Sequence, residues 1–484
     1  MRLVALTLLF SAAAVYEALH ISALLAPGVW VHLRTGLWIL QNHAIPRTGL
    51  FSQYSSLPWN DSSWVFDVLL AAAYRVFGLR AIPILLMLLK VALAVVTFLL
   101  ARAGRASFWS AVLLSAVAQY LISGLQPLPY ALSILFFAIE LRFLIRSRQS
   151  GTVRELFWLP LLFVVWANLD IEFVLGLLLL GLFLTALLIE HLLRSLGTTW
   201  ISDCIQPLDL RQAGAVALLS LVATFINPYT IRPLAGAFQV LYSHAGFEHF
   251  AEMKAMTFRQ PQDYLLMLLV MISFLSFGKR RSLDLFGLIT LLAGTLVAFR
   301  LQRDGWLAVL PAIAWISYGL ATNRERLSDL SPKRERISVA GLTAILVIIC
   351  VALLPNSNAL MNQVSQYFPV KACQYIQQNR LPQPLYNEYS WGSFLIWYLP
   401  EYPVAVDSRI ELYGDESMTK YFDVAGGKEK LEDDPRLVTA QTLLLEKESA
   451  MAKALTTLPG LSAQYRPVYT DDLASVFVSQ RAVP

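Results

Sequence analysis

Long apolar runs separated by short polar punctuation fill the first three-quarters of the chain, and the pattern changes after about residue 355. Runs recur near residues 3–26, 80–101, 107–124, 128–145, 155–169, 173–193, 213–227, 263–278, 283–299, 305–321 and 338–355. A hydrocarbon core of about 30 Å is crossed by about 20 helical residues rising 1.5 Å each. The pattern therefore predicts an α-helical polytopic membrane protein of about eleven spans. The run Trp64–Phe77 is too short for an ordinary span and carries Asp67, so it reads as a re-entrant or interfacial helix, or as a strongly mismatched extra span. The N-terminus has a basic start and small residues at Ser11–Ala14, which raises a cleaved signal peptide. The apolar run continues to Ala26, which favours an uncleaved first span.

Beyond Pro355 helix-like stretches alternate with short strand-like ones, which predicts a soluble C-terminal α/β domain over residues 356–484. YPVAVD, LVTAQTLLLEKE and VYTDDLASVFVSQ read as strands, the last as a hairpin about Asp471 and Asp472. The domain division is thus 1–355, with an external loop at 27–63, and 356–484. About 125 residues suffice to bury a core.

The charge content changes the picture only where it falls. The chain is 57% hydrophobic, 15% charged and carries a net charge of +5, with a mean hydropathy of +0.56. Its basic residues form clusters at Arg102/Arg105, Arg146/Arg148/Arg154, Arg194/Arg211, 278–282 and 323–336 rather than one nucleic-acid-binding patch. With Arg2 and eleven spans, every cluster falls on the cytoplasmic side, as the positive-inside rule requires. Segments 27–63, 168–173, 227–263 and 300–304, and everything after Pro355, then lie outside. The expected location is the inner, cytoplasmic membrane, with an extracytoplasmic C-terminal domain. Cys204, Cys350 and Cys373 lack CxxC spacing and read as incidental thiols.

The stretch PGVWVHLRTGLWILQNHAIPRTGLFS at 27–52 is the densest in chemistry. Trp30, Leu33, Leu37 and Leu40 share one face of a short helix, with His32, Arg34 and Thr35 off it, so an interfacial helix is expected there. This stretch, followed by LPWNDSSWVFDVLLAAAYRVFG, VWANLDIEFVLGL, INPYTIRPL and LYNEYSWGSFLIWYLPEYPVAVDSRIELYGD, resembles bacterial membrane proteins of the C-type glycosyltransferase-like superfamily. The resemblance runs through much of the chain in order. It implies a lipid-linked sugar donor, typically a polyprenyl phosphate sugar, an outer-face active site and a carboxylate from the first external loop. The chain departs from that pattern in three places. Gly28 stands where relatives have an acid, Ser62 and Ser63 replace a His-Glu pair, and Asp170-Ile171-Glu172 replaces a His-Gly-Gly turn.

Glycosyl transfer from a lipid phosphate needs a base for the acceptor proton and cations for the leaving phosphate. The candidate carboxylates are Asp61, Asp170 and Glu172, and the candidate cations Arg34, Arg47, Arg300 and Arg303. Asp61 in NDSSW also suits a turn or helix cap, and Asp170 and Glu172 a solvated turn. Arg300 and Arg303 are placed to grip a phosphate or to snorkel at a boundary, and His32, expected in donor binding through the resemblance, also suits packing. His244, Glu248, His249 and Glu252 read first as an amphipathic loop helix and second as a divalent-metal site, without HExxH. Glu17 and His20, three residues apart, are expected to pair, and Asp407 and Arg409 to dock the C-terminal domain on the membrane half. Two functional readings stay open: an enzyme using a lipid-linked sugar, or a catalytically silent scaffold in envelope or exopolysaccharide assembly. Membrane lipids are the remaining expected partner; no broken-helix symmetry supports a transporter.

Overall fold

A computed structural model describes residues 1–197, 206–241, 253–279, 284–320 and 333–480. Cys204 and the 244–252 cluster lie outside these residues, as do most of the basic clusters at 278–282 and 323–336. Each predicted apolar run lies in helix. Five stretches are long and apolar enough to cross a membrane: Arg2–His20, Trp64–Ala103, Phe173–Ser195, Pro261–Gly278 and Arg334–Leu353. Phe108–Leu121, Leu156–Trp166, Leu210–Ala223 and Leu285–Arg300 are shorter apolar helices. The chain is a membrane protein by these helices, and among the described residues five stretches, rather than the expected eleven, are long and apolar enough to span.

The chain divides into two compact units. The first comprises Met1–Ile21, Pro83–Leu234 and Ala251–Leu354 and is helical. Its helix Trp306–Gly319 is buried almost throughout and packs against Pro261–Lys279 and Leu285–Arg300. Polar side chains inside it are partnered across helices. Lys90 Nζ donates to Glu17 Oε2 at 2.9 Å, and Arg148 bridges Glu190 at 2.8 Å and Asp284 at 3.0 Å. Glu17 thus pairs with a lysine 73 residues away rather than with His20, whose ring stacks on Tyr16.

The second unit joins Ser22–Ile82 and Ala235–Phe250 to Pro355–Pro484. Four strands, β1 (Leu385–Asn387), β2 (Thr442–Glu446), β3 (Tyr465–Thr470) and β4 (Ala474–Ser479), form a sheet of order β1-β2-β4-β3. β1 and β2 are parallel, and β4 is antiparallel to both its neighbours. YPVAVD is not a regular strand, because its peptide groups find other partners. The Asn387 amide takes Ala405 N–H at 2.8 Å and donates to Val406 O at 2.9 Å, while Val404 exchanges hydrogen bonds with Phe51 and Gln53. The early loop is therefore part of this unit's framework. Trp59 lies in its core with Tyr386, Leu443 and Phe477, and Gln53 caps Leu385 O at 2.6 Å.

Candidate functional site

The helix Val29–Asn42 packs between Trp64–Phe77 and Tyr389–Tyr398. On one side Trp30 is fully buried against Phe368, Phe394 and Trp397. On the other, Gly36 meets the backbone of Asp67; a Cβ there would lie 1.9 Å from Asp67 O and 2.8 Å from Ala71 Cβ. Thr35, expected on a polar face, is fully buried. This element is a central packed helix rather than an interfacial one, because a glycine on one face and an aromatic nest on the other bury both.

The close approach brings distant residues together. His32, one turn before Gly36, meets Asp67 through Nδ1···Oδ1 at 2.7 Å, and its ring stands edge-on to Phe66 at 5.5 Å. Asp67 is 1% exposed and Asp61 3%. Asp61 Oδ1 accepts from Ser63 N at 3.1 Å, the turn role its sequence context suggests. Its carboxyl also shares a hydrogen bond with Asp67, and burial followed by the Asp67 charge pushes its pKa well above the usual carboxylate range. Two buried acids this close disfavour double ionisation, and the second of them, Asp67, meets His32. The sequence flagged Asp61 and His32 but not Asp67, whose only signal was a charge inside an apolar run. Arg34 lies over Phe51 at 5.4 Å, with a buried Nε.

The helical unit holds a separate constellation. Asp170 accepts from Ser133 Oγ at 2.5 Å, and that hydroxyl receives Trp166 Nε1 at 2.6 Å. Glu172 is bonded by Arg303 Nη2 at 2.8 Å, and Arg303 Nε reaches Asp304 at 3.2 Å. Burial raises the Glu172 pKa, against the opposing charge of Arg303. Arg303 is thus committed to carboxylates, while Arg300 ends the helix Leu285–Arg300 exposed. Nearby, Gly176 leaves room for Trp166 and Glu140, whose oxygens are buried; a Cβ at Gly176 would meet them at 2.5 and 2.7 Å.

The remaining candidates are structural. Arg409 forks Asp407 with two 2.8 Å bonds and stacks on Trp59 at 4.8 Å. Arg436 Nε likewise donates to Asp434 at 2.8 Å and its guanidinium lies over Tyr421, while Nη2 donates to Ser417 O at 2.9 Å. Asp407 and Arg409 thus clamp the early loop inside their own unit. A cavity of roughly 530 Å³ lined by Leu437, Leu458, Leu461 and Tyr465 is mainly apolar. Among the described residues no group of three or more His, Cys, Asp or Glu side chains is placed to hold a metal ion.

No family model and no curated protein matches the sequence. Solved structures do. The apo oligosaccharyltransferase of Archaeoglobus fulgidus aligns over 100% of this chain and 75% of its own, with a TM-score of 0.56 and 12% identity. The same organism's enzyme tethered to an acceptor peptide gives 98% and 74%, TM-score 0.53, at 13% identity. Its complex with an inhibitory peptide and a dolichol-phosphate gives 95% and 71%, TM-score 0.52, at 12% identity. At such identity the likeness is one of fold, and it agrees with the resemblance to the C-type glycosyltransferase-like superfamily.

Proposed function

We propose that this glycosyltransferase-like membrane protein transfers a sugar from a polyprenyl-phosphate-linked donor at the extracytoplasmic face of the inner membrane. The observation that carries the reading is the buried Asp61–Asp67 pair with His32. It puts acid–base chemistry on the segment from which the superfamily draws its loop carboxylate, although Gly28, Ser62 and Ser63 lack the usual acids. The fold's likeness to an enzyme solved with a dolichol-phosphate supports a lipid-linked donor. Within the early-loop unit Arg34 is the candidate donor-binding cation; within the helical unit Asp170 and Glu172 are the second candidate carboxylates, with Arg300 and Arg303 as candidate phosphate cations. The Arg303–Glu172 ion pair must open for either of its members to serve.

The test is transfer of labelled sugar from polyprenyl phosphate donors in reconstituted vesicles, comparing wild type with Asp61→Asn, with Asp67→Asn, and with Asp170→Asn plus Glu172→Gln. Loss of turnover in one set shows which of the two constellations the transfer needs. Absence of turnover from folded wild type with every donor supports a second reading, a catalytically silent scaffold in envelope assembly. The replaced acids and the neutralised Glu172 favour that reading.

A further inference from the structure

We propose that His32 is the group that takes the acceptor's proton, and that Asp67 is its positioning residue; this rests on the glycosyl-transfer reading above. The His32 side chain is 23% exposed, while the carboxyl it meets through Nδ1 is 1% exposed. A buried carboxylate on Nδ1 fixes an imidazole's tautomer and plane and leaves Nε2 as the basic nitrogen. The same logic orients the base of hydrolytic triads. Asp61 stands behind Asp67, its buried carboxyl within hydrogen-bonding reach of it.

The surroundings fit a single orientation. Phe66 stands edge-on to the ring, and the Gly36–Asp67 backbone contact fixes the distance between the two helices. Asp67 meets the ring with Asp61 behind it, and Arg34, on the same helix, lies over Phe51. The helix Tyr389–Tyr398 brings no carboxylate or cation. The role also explains how a chain without the superfamily's acids at Gly28 and Ser63 would keep a base. In the step, the acceptor's O–H proton passes to His32 Nε2 and its oxygen bonds the anomeric carbon. The bond from that carbon to the lipid phosphate oxygen breaks, and its electron pair leaves on the phosphate.

The experiment uses the full chain in vesicles with labelled glucosyl, mannosyl and galactosyl polyprenyl phosphates, reading transfer to extracted envelope acceptor. His32→Ala should lower kcat by about 100-fold or more with little change in KM, as expected for a lost general base. Added imidazole should restore part of that rate, which a purely structural histidine would not allow. Asp67→Asn should lower kcat by roughly tenfold or more, as loss of an orienting partner does, with Asp67→Glu recovering part. A wild type that turns over while His32→Ala keeps within threefold of its rate overturns this proposal and leaves the transfer reading standing. A wild type inactive with every donor overturns both. Should His32→Ala fail to fold, ¹⁵N-histidine NMR of wild type decides: a proton on Nδ1 of His32 supports the dyad, and one on Nε2 alone refutes it.

Discussion

Substituting Gly36 by alanine should damage the second unit out of proportion to one methyl group. The added Cβ would stand 1.9 Å from Asp67 O, whereas ordinary contact begins at 3.4 Å. The helices Val29–Asn42 and Trp64–Phe77 must therefore part by about 1.5 Å, since packed atoms repel steeply below contact. That movement stretches the 2.7 Å His32–Asp67 bond beyond hydrogen-bonding range. Overpacking costs about 1–3 kcal/mol, and loss of a hydrogen bond to a charged group about 1.5–3 kcal/mol. The sum is roughly 2.5–6 kcal/mol, enough to lower the melting temperature of this unit by several degrees. The assay is tryptophan-fluorescence melting in lipid nanodiscs, with Gly181→Ala as reference, because nothing lies within 4 Å of a Cβ at Gly181. If Gly36→Ala melts within a degree of that reference, the close-approach argument is wrong, and so is the reason given for the His32–Asp67 contact.

Asp407→Asn should cost about 3–5 kcal/mol by leaving Arg409 charged and buried without its partner, seen as a lower urea midpoint; an unchanged midpoint would refute the clamp. Burial alone would raise the Asp407 pKa, but the Arg409 charge and hydrogen bonds from Arg409 and Tyr413 hold it below the usual range. Its contribution is complete above the unfolded value of about 3.9 and disappears as pH falls through the folded value, so the variant's deficit should shrink in strong acid. Asp61 has the opposite sign: its raised folded pKa gives stability present below about 3.9 and lost as pH rises through the folded value. Asp61→Asn should therefore gain on wild type as pH increases, and a gap constant across pH would count against the raised Asp61 pKa. Glu140 keeps both oxygens buried and without a hydrogen-bond partner among the described residues. Glu140→Leu should thus raise stability by about 1–3 kcal/mol; a lower melting temperature would mean that the carboxyl has a partner.

The apolar runs were legible because apolar periodicity and length favour helix, and each lies in helix, although five of the described stretches, not eleven, reach spanning length. The hairpin about Asp471 was legible from alternation bounded by turn residues. What escaped depends on packing between segments far apart in sequence. Asp61 and Asp67 differ by six positions, yet nothing in that spacing shows that Gly36 admits the second acid to His32. Likewise Lys90 could be matched to Glu17 only once their helices were packed, and YPVAVD alternates like a strand although Asn387 satisfies its backbone. The interfacial reading of Val29–Asn42 failed for the same reason, since periodicity reports one apolar face and this helix buries both.

The second unit is assembled from two ends of a discontinuous stretch: Trp30 and Trp59 belong to its core, yet most of that core lies after Pro355. During synthesis about 270 residues separate Ile82 from Pro355, which at about 5–20 residues per second is a wait of roughly 15–50 s. Through that interval the tryptophan-bearing helix has Trp64–Phe77 against its glycine face, but the aromatic partners of Trp30, namely Phe368, Phe394 and Trp397, have not yet been made. The bilayer interface, where indole rings rest at low cost, is its natural holding place, so the amphipathic pattern describes where this helix waits and the aromatic nest where it finishes.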